Sequence, residues 1–223
     1  MKAVIFDIDG TLLENSRAHK LAFSTLFKRY GIDKHKYNNL ITHGMTDRGI
    51  VYEVFRISGF QKSEQELDLL VKELSDIFME FFEPSDVAML PGVADLLKEL
   101  SNKAILGIGT GNCKKIALAR LAAADLHSYF KFGSFGDNFL RREEMLQEAL
   151  SLIPRSENLD IFVIGDTPKD IDAAKKVRAT AIAVATGNYT VDQLADADLV
   201  VENFSVDRRK IINFILNHHS YKS

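Results

Sequence analysis

Two aspartates one residue apart, Asp7 and Asp9, stand directly after the apolar run Val4-Ile5-Phe6 and lead into Gly10-Thr11. Carboxylates that close together at the end of a buried strand lose hydration and repel one another, so a cation or a phosphoryl chemistry has to compensate them. Asp7 then reads as a nucleophile with a metal beside it, and Asp9 as a general acid and base. The competing reading is a plain turn, because Asp-Gly favours turns and Asp caps helices. A second carboxylate pair, Asp166 and Asp170, follows the apolar run Ile161-Phe162-Val163-Ile164 in Gly165-Asp166-Thr167-Pro168-Lys169-Asp170. Hard oxygen ligands at the end of a parallel strand suit magnesium, which takes few carboxylates and keeps waters and substrate phosphate as its other ligands. Asp166 or Thr167 could equally cap the helix that Pro168 opens, and both readings can hold together. Between the two pairs lies Leu106-Gly107-Ile108-Gly109-Thr110-Gly111-Asn112. There the Thr110 hydroxyl and the Gly111 N–H could hold a phosphate oxygen, or Thr110 could be a simple N-cap before a glycine.

These groups must be carried by alternating strands and helices. From Pro91 onward the pattern alternates: helix from Pro91, strand Ala104–Gly109, helix to about Ala123, a short apolar strand Phe132–Phe135, helix Arg142–Ile153, strand Ile161–Gly165, helix Pro168–Val177, strand Thr180–Ala185, a last strand Leu199–Val201 and a helix Arg208–Asn217. Such alternation is the signature of a parallel sheet with helices on both faces, and ligands then gather at the C-terminal strand ends. Residues 15–85 break the alternation. Ala18, Leu21, Ala22, Thr25 and Leu26 form one helical stripe, and Ile50, Val51, Val54 and Phe55 a second. Ser63-x-x-Glu66 is a capping box opening a third helix, with Leu67, Leu70, Val71, Leu74, Ile77, Phe78 and Phe81 on its core side. The expected organisation is therefore a Rossmann-like α/β core of residues 1–14 and 86–223 with a small all-helical domain of residues 15–85 inserted into it. Thr-Gly-Asn occurs twice, at 110–112 and 186–188, each time after a strand.

Composition narrows the function classes. With 223 residues, 46% hydrophobic and 26% charged, the chain has the make-up of an ordinary globular protein. A net charge of −3 offers no basic excess for nucleic acid or an anionic membrane surface. No apolar run approaches the length of a membrane span, and no signal peptide is read at the N-terminus. One cysteine, Cys113, excludes a disulfide framework and fits a reducing cytoplasm, where it reads as a packed small residue. The expected setting is cytoplasmic, as a monomer or homodimer.

Asp-x-Asp-Gly-Thr-Leu-Leu near the N-terminus resembles the first motif of the haloacid dehalogenase-like hydrolase superfamily. The strand ending at Thr110 resembles its second motif, and Gly-Asp-x-x-x-Asp its fourth. The third motif departs from the usual Lys-Pro: Gly133-Ser134-Phe135-Gly136-Asp137 leads instead to Arg141-Arg142, similar to a branch with Phe-Gly-Asp and a following Arg. Among Lys131, Arg141 and Arg142, only Arg142 shares a helix face with Met145, Leu146, Ala149, Leu150 and Ile153, so it is assigned the third-motif charge. The overall resemblance is to phosphoglycolate phosphatase-like members with a helical cap.

The resemblance implies a magnesium-dependent phosphatase acting on a small phosphorylated metabolite through an aspartyl-phosphate. Asp7 would attack phosphorus, Asp9 would serve the leaving oxygen and the water, and Thr110 and Arg142 would grip the transferring group. Magnesium would be held by Asp7, the Asp9 carbonyl and Asp166, with Asp170 as a ligand or a holder of bound water. Gly10, Thr11, Gly111 and Asn112 are counted as substrate-binding, and His43-Gly44-Met45-Thr46-Asp47-Arg48 could put Thr46, Asp47 or Arg48 over the site, of which Thr46 and Arg48 are counted as substrate-binding cap residues. Thr46 or Asp47 could instead only cap a helix. His19 stands where β-phosphoglucomutases of the superfamily also carry a His, which keeps a phosphomutase as an alternative. A non-catalytic binding module on the same fold is the other. The physiological substrate is not legible in the residues.

Overall fold

A computed structural model describes residues 1–154 and 159–218, so positions 155–158 and 219–223 of the expected core range lie outside the described residues. Six strands form one parallel sheet: β1 (Lys2–Phe6), β2 (Ile105–Thr110), β3 (Phe132–Phe135), β4 (Asp160–Gly165), β5 (Thr180–Val184) and β6 (Leu199–Val201), in the order β3-β2-β1-β4-β5-β6. β1 runs between β2 and β4, with Val4 opposite both Leu106 and Phe162. The chain leaves β1 in one direction to build β2 and β3 and in the other to build β4 to β6. The β1–β4 boundary is thus the topological switch point, where an open parallel sheet leaves a crevice at its carboxyl edge.

Strand periodicity divides the core. Val4 and Phe6 point to one face with Leu106, Ile108, Phe162 and Ile164, and are covered by α4 (Val93–Leu100), α5 (Lys114–Ala123) and α8 (Phe204–Asn217). Ala3 and Ile5 point to the other face with Val163 and Ala181, under α6 (Arg142–Ser151) and α7 (Pro168–Lys176). Both faces of the central strands are covered, which is why they read as unbroken apolar runs.

Between β1 and α4 lie α1 (Arg17–Arg29), α2 (Asp47–Ile57) and α3 (Glu64–Phe81), with no strand among the described residues there. They share a hydrophobic cluster of their own, including Ala22, Leu26, Val51, Phe55, Leu74 and Phe78, which among the described residues takes in only Cys113 and Ile116 at the start of α5 from the core. The two connections to the core run side by side: Glu14 N–H donates to Ala88 O at 2.9 Å and Leu90 N–H to Leu12 O at 3.0 Å.

Some boundaries differ from the sequence reading. Leu21 and Phe81 are more than a third exposed, while Phe27 is buried in place of Leu21, because α1 turns one narrow face toward α3. The helix expected from Pro91 begins at Val93. Gly92, at φ +85°, presses its backbone on Phe204 and Ser205, a left-handed turn that a side chain would block. The last helix starts at Phe204 rather than Arg208, since the Asn203 side chain accepts the Val206 N–H as its cap.

Candidate active site

The carboxyl edge of β1 and β4 brings Asp7, Asp166 and Asp170 together, all buried, with one carboxylate oxygen from each within 4.8 Å of the others. Asp7 emerges from β1 with its N–H on Ile164 O of β4. Asp170 is fixed by the start of α7: its Oδ2 accepts the Thr167 N–H at 3.0 Å and hydroxyl at 2.6 Å, a capping box of Thr167 and Asp170. Thr167 is thus the cap that the sequence allowed, and Asp166, just before it, is left facing the crevice.

The one guanidinium among them is Arg142, at the start of α6 and 6% exposed. Its Nη2 lies 2.9 Å from Asp7 Oδ1 and 2.5 Å from Asp170 Oδ1. Arg141 points outward to Glu144, and Lys131 is exposed. Helix periodicity decides between the adjacent arginines: Arg142 shares its face with buried Met145, Leu146 and Ala149.

Three carboxylates against one guanidinium leave the cluster short of positive charge. Burial raises the Asp7 carboxyl to about 6; Arg142 opposes that rise, and Asp170 and Asp9 add to it. Asp166 is pushed up to about 9 by burial, then by Asp170 and Asp7. Its Oδ1 is buried with no hydrogen-bond partner among the described residues. Gly10 and Gly187 wall it in, since a Cβ at either would overlap the Asp166 carboxylate. An orphaned buried carboxylate oxygen beside two further acids is a donor set that fits a hard divalent cation. Asp7 and Asp166 have the freest oxygens for one. Both oxygens of Asp170 are engaged, and the Asp9 carboxylate lies outside the trio.

Asp9 sits in a different setting. Its Oδ1 is 2.7 Å from Arg120 Nη1, and its Oδ2 accepts the Asn112 amide at 2.6 Å. Burial works against ionisation, but Arg120, His19 and the Asn112 amide outweigh it and hold the carboxyl below its ordinary value. The environments of Asp7 and Asp9 thus push their acidities apart in the cation-free protein, Asp7 toward its protonated form and Asp9 toward its ionised one.

A pocket opens over these groups, lined on the sheet side by Asp7, Asp9, Gly111, Asn112, Arg142 and Asp166, and on the helical side by Ser16, His19, Lys20, Phe23, His43, Met45, Asp47 and Ile50. Thr110 closes β2 beneath it, its hydroxyl accepting from the Asn112 N–H and amide at 3.3 Å. Thr11 is fully buried behind the first loop and Gly10 turns it at φ +70°.

Thr46 and Arg48 do not reach the pocket. Thr46 caps α2 and donates its hydroxyl to Phe139 O at 2.6 Å. Arg48 spends its guanidinium on Glu64, Asp68 and Asp137 O. Helical geometry turns the residue between them inward: the Asp47 carboxylate faces the pocket, accepts the Cys113 N–H at 2.7 Å and lies 3.1 Å from His19 Nε2. Burial disfavours the His19 imidazolium, but Asp47 and then Asp9 outweigh it and raise its pKa.

The two Thr-Gly-Asn turns hold this loop from opposite sides. Gly111 O accepts the Asp47 N–H at 2.7 Å. Asn188, also in the pocket wall, lies 3.1 Å from His43 Nδ1, while Thr186 donates to Gly10 O at 2.6 Å. Sequence reading missed Asn188, although its duplicated tripeptide after a strand was the available signal. It missed Arg120 as well, whose charge on the buried face of Ile116, Ala117 and Leu121 demands a partner.

Comparison with known proteins gives one family, two relatives in sequence and one solved structure of similar fold. The family described as haloacid dehalogenase-like hydrolase matches residues 4–184. A phosphoglycolate phosphatase of Synechococcus elongatus is 29% identical over 193 residues, 84% of this chain and 85% of its own. The β-phosphoglucomutase of Bacillus subtilis is 26% identical over 218 residues, 92% and 91% of the two chains. In fold, the chain is similar to a hydrolase from Pseudomonas syringae, with a TM-score of 0.73 over 96% of this chain and 99% of that one, at 20% identity.

Proposed function

A chain matched over residues 4–184 belongs to the haloacid dehalogenase-like hydrolases, and from that premise we propose that it is a magnesium-dependent phosphatase of small phosphate monoesters working through an aspartyl-phosphate. The observation that carries the reading is the buried trio Asp7, Asp166 and Asp170 around a single guanidinium, with Asp9 held apart in its own hydrogen-bonded setting. Asp7 forms the bond to phosphorus as the ester oxygen leaves and takes a proton from Asp9, which has to enter this step protonated against the pull of Arg120 toward its ionised form. Water then gives a proton to Asp9 and attacks the phosphorus, freeing Asp7 and inorganic phosphate. Arg142 and the Gly111 N–H face the equatorial oxygens, where charge is spread in the transition state. A magnesium ion on Asp7 and Asp166 would supply charge neutralisation and orient the phosphate. The helices of residues 17–81 cover the pocket as a cap, within the expected division at 15–85, and keep bulk water from it.

A second reading has its own support: His19 lines the pocket beside Asp47 and contributes to the field at Asp9, and a phosphomutase is among the relatives. One assay separates the readings. Wild-type protein with p-nitrophenyl phosphate and magnesium should release phosphate, excess chelator should stop it, and Asp7→Asn should abolish it with the fold intact. Full turnover in chelator or in Asp7→Asn would refute the mechanism, and an isomerised sugar phosphate as the main product would favour the mutase.

A further inference from the structure

Arg120 is the largest fully buried side chain, 1% exposed, and the chemistry above leaves it without a task. It enters from α5 and makes three contacts with one guanidinium. Nη1 lies 2.7 Å from Asp9 Oδ1 and donates to Asn112 Oδ1 at 3.0 Å; Nη2 donates to Glu14 O at 2.7 Å. The Asn112 amide closes the ring by donating to Asp9 Oδ2 at 2.6 Å. Both oxygens of Asp9 are therefore held, one by Arg120 and the other by a residue that Arg120 orients. A buried guanidinium is costly unless its partners are well placed. Here the partners are the pocket's acid and the first linker into the cap.

That linker matters. Glu14 is hydrogen-bonded to Ala88 of the returning linker, and Arg120 floors the cavity between the two connections with Ser16, Arg17, Phe82 and Glu83. One side chain thus joins the first linker and the Asp9 carboxylate. A general acid and base must stand within hydrogen-bond reach of the proton it moves, and a misplacement of about 1 Å can cost on the order of a hundredfold in rate.

We propose that Arg120 is a positioning residue for the reaction, fixing the Asp9 carboxylate in the pocket directly and through Asn112, from α5 and braced on the Glu14 carbonyl of the first linker. Arg120 does not line the substrate pocket, so its loss falls on turnover and not on ester binding. The proposal rests on the reading of Asp9 as general acid and base, and a double-mutant cycle separates the two. Wild type, Asp9→Asn, Arg120→Met and the double variant are assayed on p-nitrophenyl phosphate with magnesium. Arg120→Met should lower kcat by roughly a hundredfold with KM within about twofold. In the Asp9→Asn background the same change should cost less than about twofold, because the group it positions is gone. Arg120→Lys, which keeps a charge in the same space, should recover part of the loss, and it carries the cycle if the methionine variant does not fold. An equal loss in both backgrounds, or a loss expressed in KM, overturns the proposal while leaving Asp9 its role. Wild-type turnover in Asp9→Asn overturns both.

Discussion

Replacing Arg142 with alanine removes the guanidinium that stands among the buried carboxylates of Asp7, Asp166 and Asp170, and its consequences can be sized from the geometry. The guanidinium is 6% exposed and 2.9 Å from the Asp7 oxygen. At that distance and an effective dielectric near 20, a unit pair is worth roughly 6 kcal/mol before desolvation is set against it. One preorganised electrostatic donor typically contributes about 3 kcal/mol to the transition state, which is about a 150-fold loss of kcat. Arg142→Lys should recover only part, because the charge returns without the planar fork that meets two oxygens at once. Arg141→Ala, whose side chain is 66% exposed and paired only on the surface, should stay within about twofold. A second readout has the opposite sign: with the guanidinium gone, a divalent cation meets less repulsion, so magnesium measured by calorimetry should bind at least as tightly as in wild type. Steady-state kinetics with p-nitrophenyl phosphate and the magnesium titration together test the reasoning. It is refuted if Arg142→Ala turns over like wild type, if Arg141→Ala carries the loss, or if both activity and cation binding vanish together.

Two further outcomes follow from the same cluster. Asp7 and Asp166 have carboxyls raised to about 6 and about 9, so in the cation-free protein they favour their protonated forms. Their contribution to stability is full below the ordinary carboxylate value, near 4, and is lost as pH rises through those folded values. Cation-free protein should therefore melt at a lower temperature at pH 8 than at pH 6, and added magnesium should raise the melting point more at pH 8; a cation effect independent of pH would refute this. Gly187→Ala places a methyl on the Asp166 carboxylate, whose other wall is Gly10. Magnesium affinity, followed as the concentration giving half-maximal activity and by calorimetry, should weaken by roughly tenfold or more while the melting point without cation changes little. Unchanged cation affinity would show that the glycine walls do not set the position of Asp166.

Much of this protein was legible before any coordinate. The alternation from Pro91 onward determined a parallel sheet, and Asp7 and Asp166 stand directly after β1 and β4 because a buried strand must surrender its polar groups at its edge. Arg142 over Arg141 followed from helix periodicity alone, since one residue of phase separates a buried face from an exposed one. What tertiary structure decided are the partnerships across long separations. Local spacing cannot tell that Arg120 and Asp9 meet 111 positions apart in a 2.7 Å pair, or that Asn188 meets His43. Nor can it say that Arg48 turns away to Glu64 and Asp68 while Asp47 turns in. At the start of α2 the cap Thr46 and the residues Asp47 and Arg48 are all buried, each against a different neighbour. Sequence pattern reports which side chains leave water, because hydrophobicity repeats with the period of the element. Which polar group then compensates which charge depends on how helices and loops from distant parts of the chain converge on one strand edge.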